Sequence, residues 1–478
     1  MTSYRMLNDY DFTAFGSDLE RLDQSHAHRI RREEATTYRD EFALKELMDI
    51  NPILYEQFLV GWSRSYYEGS KHLEAVLQYG IPDPNLNLVD NEVYSQARDV
   101  VLESLGSLPR VRAFDVLTEL DLVHYEQSSS AGYDYHGPKG PIGGENHKRA
   151  ITRAKATLWS AIAEDGEGID HVLTTSVPDV GYTRTQLTDL YEKTKIRGVW
   201  GRAFHYILLE GTSANPLLEV FKRGETFYHI GSDPQYSVPG ILSQVSEHCK
   251  YLVAIDWSNF DATVATFEIH AAFDILKSML TFPNVETEQC FEICRQLFIH
   301  KKIAAPDGSI YWSHKGIPSG SYFTSIVGSI VNRLRVEYIF RKAYNVGPKM
   351  CYTQGDDSLI GVDFRVDPEK LSDIAAPLNW KLNPAKTEVS MYPEYVTFLG
   401  RTMYGGINQR DLKRCLRLLI FPEFPVPSGE ISAYRAVSIA KDAGGTSDVL
   451  NQIATRLRRK YGVARDEDVP RHFKQYIP

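Results

Sequence analysis

The chain has 478 residues, enough for about three lobes at ~150 residues each; 43% hydrophobic and 24% charged residues make it globular and exclude a disordered, collagenous or coiled-coil protein. With 53 Lys+Arg against 62 Asp+Glu the formal net charge is -9, which excludes a uniformly basic nucleic-acid coat but not a basic channel inside an acidic protein. Five cysteines without a Cys-x-x-Cys are no disulfide framework, and the lack of an apolar signal core or of any run of 18 apolar residues predicts a soluble intracellular protein without a membrane partner.

Residues 1–110 read as mostly helical, with Pro52 at a break or a first-turn position within Arg31–Trp62. The Ser/Gly-rich stretch 128–144 reads as a loop and 145–165 as a helix. Lys193 to Arg202 alternates basic with apolar or small residues, the pattern of a strand with one charged face. Tyr251–Ile255 is a short apolar run that delivers Asp256 at its end, the signature of a buried strand. Residues 264–282 and 321–343 read as amphipathic helices, the second opened by Pro-Ser-Gly. Met350–Val362 reads as two strands around Gly355-Asp356-Asp357, residues 368–378 as a helix, and Val396–Met403 as a strand before a Gly405-Gly406 turn. The last 68 residues read as helical with basic punctuation. Cys290 and Cys294 share a helix face, better explained as small core residues than as half a zinc site.

The chemistry starts from the carboxylates. Asp256 and Asp261 follow an apolar strand, and Asp356 and Asp357 sit at a tight turn; such places suit unpaired acids only when a cation neutralises them. Mg²⁺ favours a few carboxylates plus substrate phosphates over a complete protein cage. Taken alone, Gly-Asp-Asp is an ordinary type I′ hairpin, and the basic strand is an exposed face or a triphosphate path. Ser319 in Gly316-Ile-Pro-Ser-Gly-Ser is either a plain helix cap or part of an anion-holding helix N-terminus.

In order, the segments Lys193–Arg202, Asp256–Asp261, Gly316–Thr324 with Asn332, Gln354–Ser358, Leu382–Thr387 and Phe398–Arg401 resemble motifs F, A, B, C, D and E of viral RNA-directed RNA polymerases, with a motif G-like loop at 128–132. The flavour is similar to the double-stranded RNA partitiviruses of the plant cryptic type, and next to the picobirnaviruses. The resemblance implies an α+β right hand: fingers over 1–250 with an insertion near 270–315, palm over 251–410 with an antiparallel sheet packed on helices, thumb over 411–478.

It further implies that Asp256, Asp356 and Asp357 bind two Mg²⁺ ions, which Mn²⁺ can replace. Asp261 would sense the ribose 2′-hydroxyl, and Lys193, Lys195, Arg197 and Arg202 would line the triphosphate path. Ser319, Gly320 and Thr324 would position the nascent pair, and Lys386 would protonate pyrophosphate. Phe398–Arg401 would support the primer end. Many relatives carry an Asn at the position of Gly328; here Asn332, one helical turn later, is the candidate for a ribose contact. Implied partners are RNA template, nascent RNA, NTPs and the viral capsid protein, inside the virion in the host cytoplasm. A reverse transcriptase would carry a bulky aromatic near Asp261 and an aromatic in place of Gly355. A non-enzymatic RNA-binding or capsid protein would show no Mg²⁺ dependence.

Overall fold

In the computed structural model the described residues are 4–7, 18–28, 37–192 and 196–474. Lys193 and Lys195 fall outside them.

Two sheets position the site. A four-stranded antiparallel sheet has the order Met350–Gln354, Asp357–Val362, Tyr251–Ala254, Glu388–Ser390. Tyr251–Ala254 is central, and its apolar residues Leu252 and Val253 are fully buried, as expected for a strand covered on both faces. A five-stranded sheet has the order Glu20–Ser25, Ser309–Ser313, Lys301–Ala304, Asp179–Thr185, Ile196–Gly201. The basic strand is therefore an edge strand, and 301–313 pairs back onto the sheet that carries it.

The helix Thr324–Tyr344 departs from the amphipathic expectation. Every residue from Ile326 to Phe340 is buried, Arg333, Arg335 and Glu337 included. The charges are paired inside: Arg335 makes a forked pair with Glu268 at 2.6 and 2.9 Å and stacks among Trp257, Phe260 and Trp380, while Arg333 pairs with Glu337 at 2.7 Å. A sequence pattern misreads such a helix because the polar residues imply a solvent face that does not exist.

One further expectation is corrected. Val396–Met403 is not one strand. Leu399 and Gly400 take positive φ (52° and 70°), closing a tight Phe398–Arg401 bridge, and a short hairpin of Thr402–Tyr404 and Ile407–Gln409 follows around Gly405-Gly406. Ala43, Leu47 and Leu59 share a core with Leu416, Ile420, Ala436, Ile453 and Leu457 of the C-terminal helices Leu412–Ile420, Gly429–Asp442 and Asp448–Tyr461. Pro52 is the first residue of helix Pro52–Phe58. Cys290 and Cys294 are buried free thiols in the core. No described helix is long and apolar enough to cross a membrane.

Candidate active site

Asp256 emerges just beyond the central strand, where its N–H donates to Thr387 Oγ1 at 3.2 Å and its carbonyl accepts from Asn383 N–H at 2.8 Å. Asn259 then takes a left-handed conformation (φ 51°), which turns the chain into the short helix Phe260–Thr263 carrying Asp261. The hairpin pairs Gln354 with Asp357 and leaves Gly355 and Asp356 at its tip. Gly355 has φ 58° while Asp356 does not share a positive φ, so the turn is not type I′.

The four carboxylates sense one another. Burial pushes Asp357 up to about 7, helped by the charges of Asp356 and Asp256. Burial also raises Asp261 to about 6, helped by Asp356 and opposed by Arg197. Asp256 is raised by burial and by Asp356, and lowered by Lys386. Burial raises Asp356 while Arg197 pulls it down. Asp356 and Asp357 still reach solvent, as groups that meet a ligand must. The structure thus brings Asp256, Asp261, Asp356, Asp357, Arg197 and Lys386 into one electrostatic neighbourhood. Among the described residues no three carboxylate, His or Cys groups stand close enough to hold a metal by themselves. Mutually repelling hard oxygen donors that leave coordination to be completed by others suit Mg²⁺ with substrate phosphates.

The Gly316–Thr324 loop is docked against the basic strand. Ser319 Oγ accepts from Trp200 N–H at 2.9 Å, and Thr324 Oγ1 donates to Pro318 O at 2.5 Å. A Cβ on Gly320 would stand 2.1 Å from Trp200 O, so only glycine permits this approach. Below the loop, buried Lys301 Nζ donates to the carbonyls of Lys315 and Gly316 (2.7 and 2.8 Å), and Tyr79 Oη to that of Ile317 (2.6 Å). Ile317 N–H donates to Asp261 O at 2.8 Å, which ties the loop to the Asp261 helix.

Three expected contacts are not presented to a ligand. Arg202 is 4% exposed and lies between Asp179 (3.5 Å) and Glu210 (3.6 Å), donating to Leu297 O at 2.8 Å. It neutralises buried acids and is not on a phosphate path. Arg401 is buried in an ion pair with Asp442, which Arg410 shares. It locks the 398–409 segment to helix Gly429–Asp442. Asn332 is fully buried and both its amide hydrogens are used: it donates to Gly355 O (3.0 Å) and Asp357 O (3.1 Å), and its oxygen accepts from Trp257 Nε1–H (2.9 Å). No amide hydrogen remains for a ribose, and burial keeps the oxygen from a ligand.

The viral RNA-dependent RNA polymerase profile matches residues 38–458. The chain belongs to that family. It is 38% identical over 115 residues to the RNA-directed RNA polymerase of Cryptosporidium parvum virus 1 (strain KSU-1), covering 23% of this chain and 21% of that one. It is 26% identical over 212 residues to the genome polyprotein of Theiler's murine encephalomyelitis virus (strain BeAn 8386), covering 42% of this chain and 9% of the polyprotein. The matches therefore span about a fifth or less of these relatives' own length. The crystal structure of the RNA-dependent RNA polymerase of a human picobirnavirus superposes with a TM-score of 0.65 at 16% identity, covering 93% of this chain and 86% of that one. The right-hand polymerase fold is thus shared over nearly the whole chain.

Residues of this polymerase-family site that the motif reading passed over are Trp257, Ser329, Tyr79, Lys301 and Arg184. Arg184 stands directly opposite Arg197 on the neighbouring strand, both exposed. Ser325, Gly328, Ser329 and Asn332 form a small or polar stripe at helical spacing among Ile and Val, a signal present in the sequence. Tyr79 and Lys301 left no signal, since their roles depend on distant chain segments.

Proposed function

We propose that the chain is the RNA-directed RNA polymerase of a double-stranded RNA virus, transferring nucleotidyl groups from NTPs to an RNA 3′-end for genome replication and transcription. The observation that carries this is the gathering of strand-end Asp256 and hairpin Asp356 and Asp357 opposite the charges of Arg197 and Lys386. Within the right hand, residues 251–410 form the palm, 270–315 reach into the fingers, and 411–478 form the thumb.

Asp256 and Asp356, assisted by Asp357, would hold two Mg²⁺ ions (or Mn²⁺ in their place). A metal held by these carboxylates would supply Lewis acidity toward the 3′-hydroxyl and offset charge on the phosphates. The 3′-oxygen forms a bond to the α-phosphorus while the bond from that phosphorus to the bridging oxygen breaks, and the hydroxyl proton passes to solvent. Arg197 binds the triphosphate, since a guanidinium suits phosphate bidentately and faces charge that grows in the transition state. Lys193 and Lys195 continue the same path by their place in the sequence. Lys386 donates a proton to the departing pyrophosphate. Asp261, largely ionised at neutral pH, accepts a hydrogen bond from the incoming 2′-hydroxyl. Ser319, Gly320 and Thr324 shape the loop under the nascent pair. The enzyme acts inside the virion in the host cytoplasm, with the capsid protein as its partner.

The test is purified protein with an RNA template, NTPs and Mg²⁺. Template-dependent RNA synthesis that stops on chelation is expected. Synthesis that persists in excess chelator, or none on any RNA template, contradicts the proposal.

A further inference from the structure

Asn332 is placed where it can set the geometry of the carboxylates without touching any ligand. Three chain segments meet at its side chain. One amide hydrogen goes to Gly355 O and the other to Asp357 O, the two carbonyls flanking Asp356. Its oxygen accepts from the indole of Trp257, the residue next to Asp256. One helical turn earlier, Ser329 Oγ accepts from Gly355 N–H at 2.9 Å, and Ser329 O accepts from Thr353 Oγ1 at 2.9 Å. The hairpin tip is thus pinned to the helix on both sides of Asp356. Gly328, just before Ser329, lies on the same side: a Cβ placed there would stand 3.6 Å from the Gly355 Cα.

We propose that Asn332 is a positioning residue that fixes Asp256 relative to Asp356 and Asp357, and that it takes no part in recognising the ribose. The assignment rests on the polymerase reading of the site. An amide is the side chain that supplies two donors and an acceptor in one plane, which this junction requires. Asp lacks the donors, and Ala removes the partner of a buried indole N–H and both side-chain donors to the carbonyls that flank Asp356. Geometry at such a site is costly to disturb: a displacement of about 1 Å can lower a rate by ~100-fold.

The experiment measures primer extension, Mg²⁺ dependence and thermal unfolding for wild type, Asn332→Ala and Trp257→Phe. Ile339→Ala, in the same helix but away from the turn, is the stability control. Expected for Asn332→Ala is a fall in kcat of about 10–100-fold with the KM for NTP nearly unchanged. The Mg²⁺ concentration at half-maximal rate should rise, and the shift in Tm that Mg²⁺ alone produces should shrink. The preference for NTP over dNTP should stay as in wild type. Trp257→Phe removes one bond and should show the same pattern more weakly; it carries the test if Asn332→Ala does not fold. Ile339→Ala should lose stability and keep kcat. A changed NTP/dNTP preference in Asn332→Ala overturns the inference in favour of a ribose contact, and kcat and Mg²⁺ dependence equal to wild type in both variants overturn it outright. A wild type without RNA synthesis would instead refute the polymerase reading.

Discussion

Asp261 sits on a one-turn helix beside the metal-binding candidates, and its pKa of about 6 records burial and the Asp356 charge against the pull of Arg197. A carboxylate in that setting gains from a hydroxyl donor, and a deoxyribose leaves it unpaired at a cost of roughly 1–3 kcal/mol or more. Wild type should therefore favour ATP over dATP strongly, and Asp261→Ala should shrink the ratio of kcat/KM values by slowing ATP incorporation. An unchanged ratio removes Asp261 from sugar sensing. At this scale the acids were legible because a polar residue closing an apolar strand stands out. The basic residues were less so. A sequence does not say which acid neutralises an arginine: Asp179 and Glu210 enclose Arg202, and Asp442 captures Arg401 from 41 positions away. Asn332 lay on the expected face of its helix, but its partners come from segments the helix cannot name.

Among the elements, the Pro318–Ser321 loop depends most on one residue. A methyl group at Gly320 would overlap Trp200 O, a backbone atom of an edge strand. Gly320→Ala should force the loop off the strand, lose about 1–3 kcal/mol of stability and lower kcat more than it raises the KM for NTP. Urea unfolding and steady-state extension check this; wild-type values for both would show that the loop has another resting place. The Asp256 strand, the Gly-Asp-Asp hairpin and the helices at 145, 266 and 368 follow their expected positions because local periodicity or caps mark them, such as Asp367 at Pro368–Ala375; the helix at 324 also lies where expected, although it is buried all round and has no side-chain cap. The strand at 396–403 failed because Leu399 takes a left-handed conformation. Leucine carries no local signal for that conformation.

Across the molecule, residues near the N-terminus close onto the C-terminal helices. Asp40 caps helix Glu41–Ile50, accepts from Ser432 at 2.9 Å and pairs with Arg435 at 2.5 Å, both ions fully buried. Asp40→Ala should cost about 3–5 kcal/mol, since it strands Arg435 in the core. A loss below 1 kcal/mol by urea unfolding would contradict this. Stability against pH should show two opposed sets. His72, His205 and His300 are held neutral by burial, down to about 4, 3 and 2. Below their unfolded value the unfolded chain binds more protons, so they lower stability as pH falls from about 6.5. Glu210 and Asp357 (about 7) and Asp261 (about 6) act oppositely, because the folded state holds their protons between pH 7 and 4. In metal-free protein the sets offset each other above about pH 4.5, and stability should drop steeply below it. A steady fall from pH 6.5 would contradict the raised acids.

The central claim is that the Asp256–Asp356–Asp357 cluster is where an NTP joins an RNA 3′-end. Its most direct test is single-nucleotide extension of a primed RNA template with ATP and Mg²⁺, comparing wild type with Asp356→Ala at matched Tm. Removing one acid from a repulsive cluster should leave the fold intact or more stable while synthesis disappears. A folded Asp356→Ala protein that extends the primer at near the wild-type rate would show that the chemistry lies elsewhere.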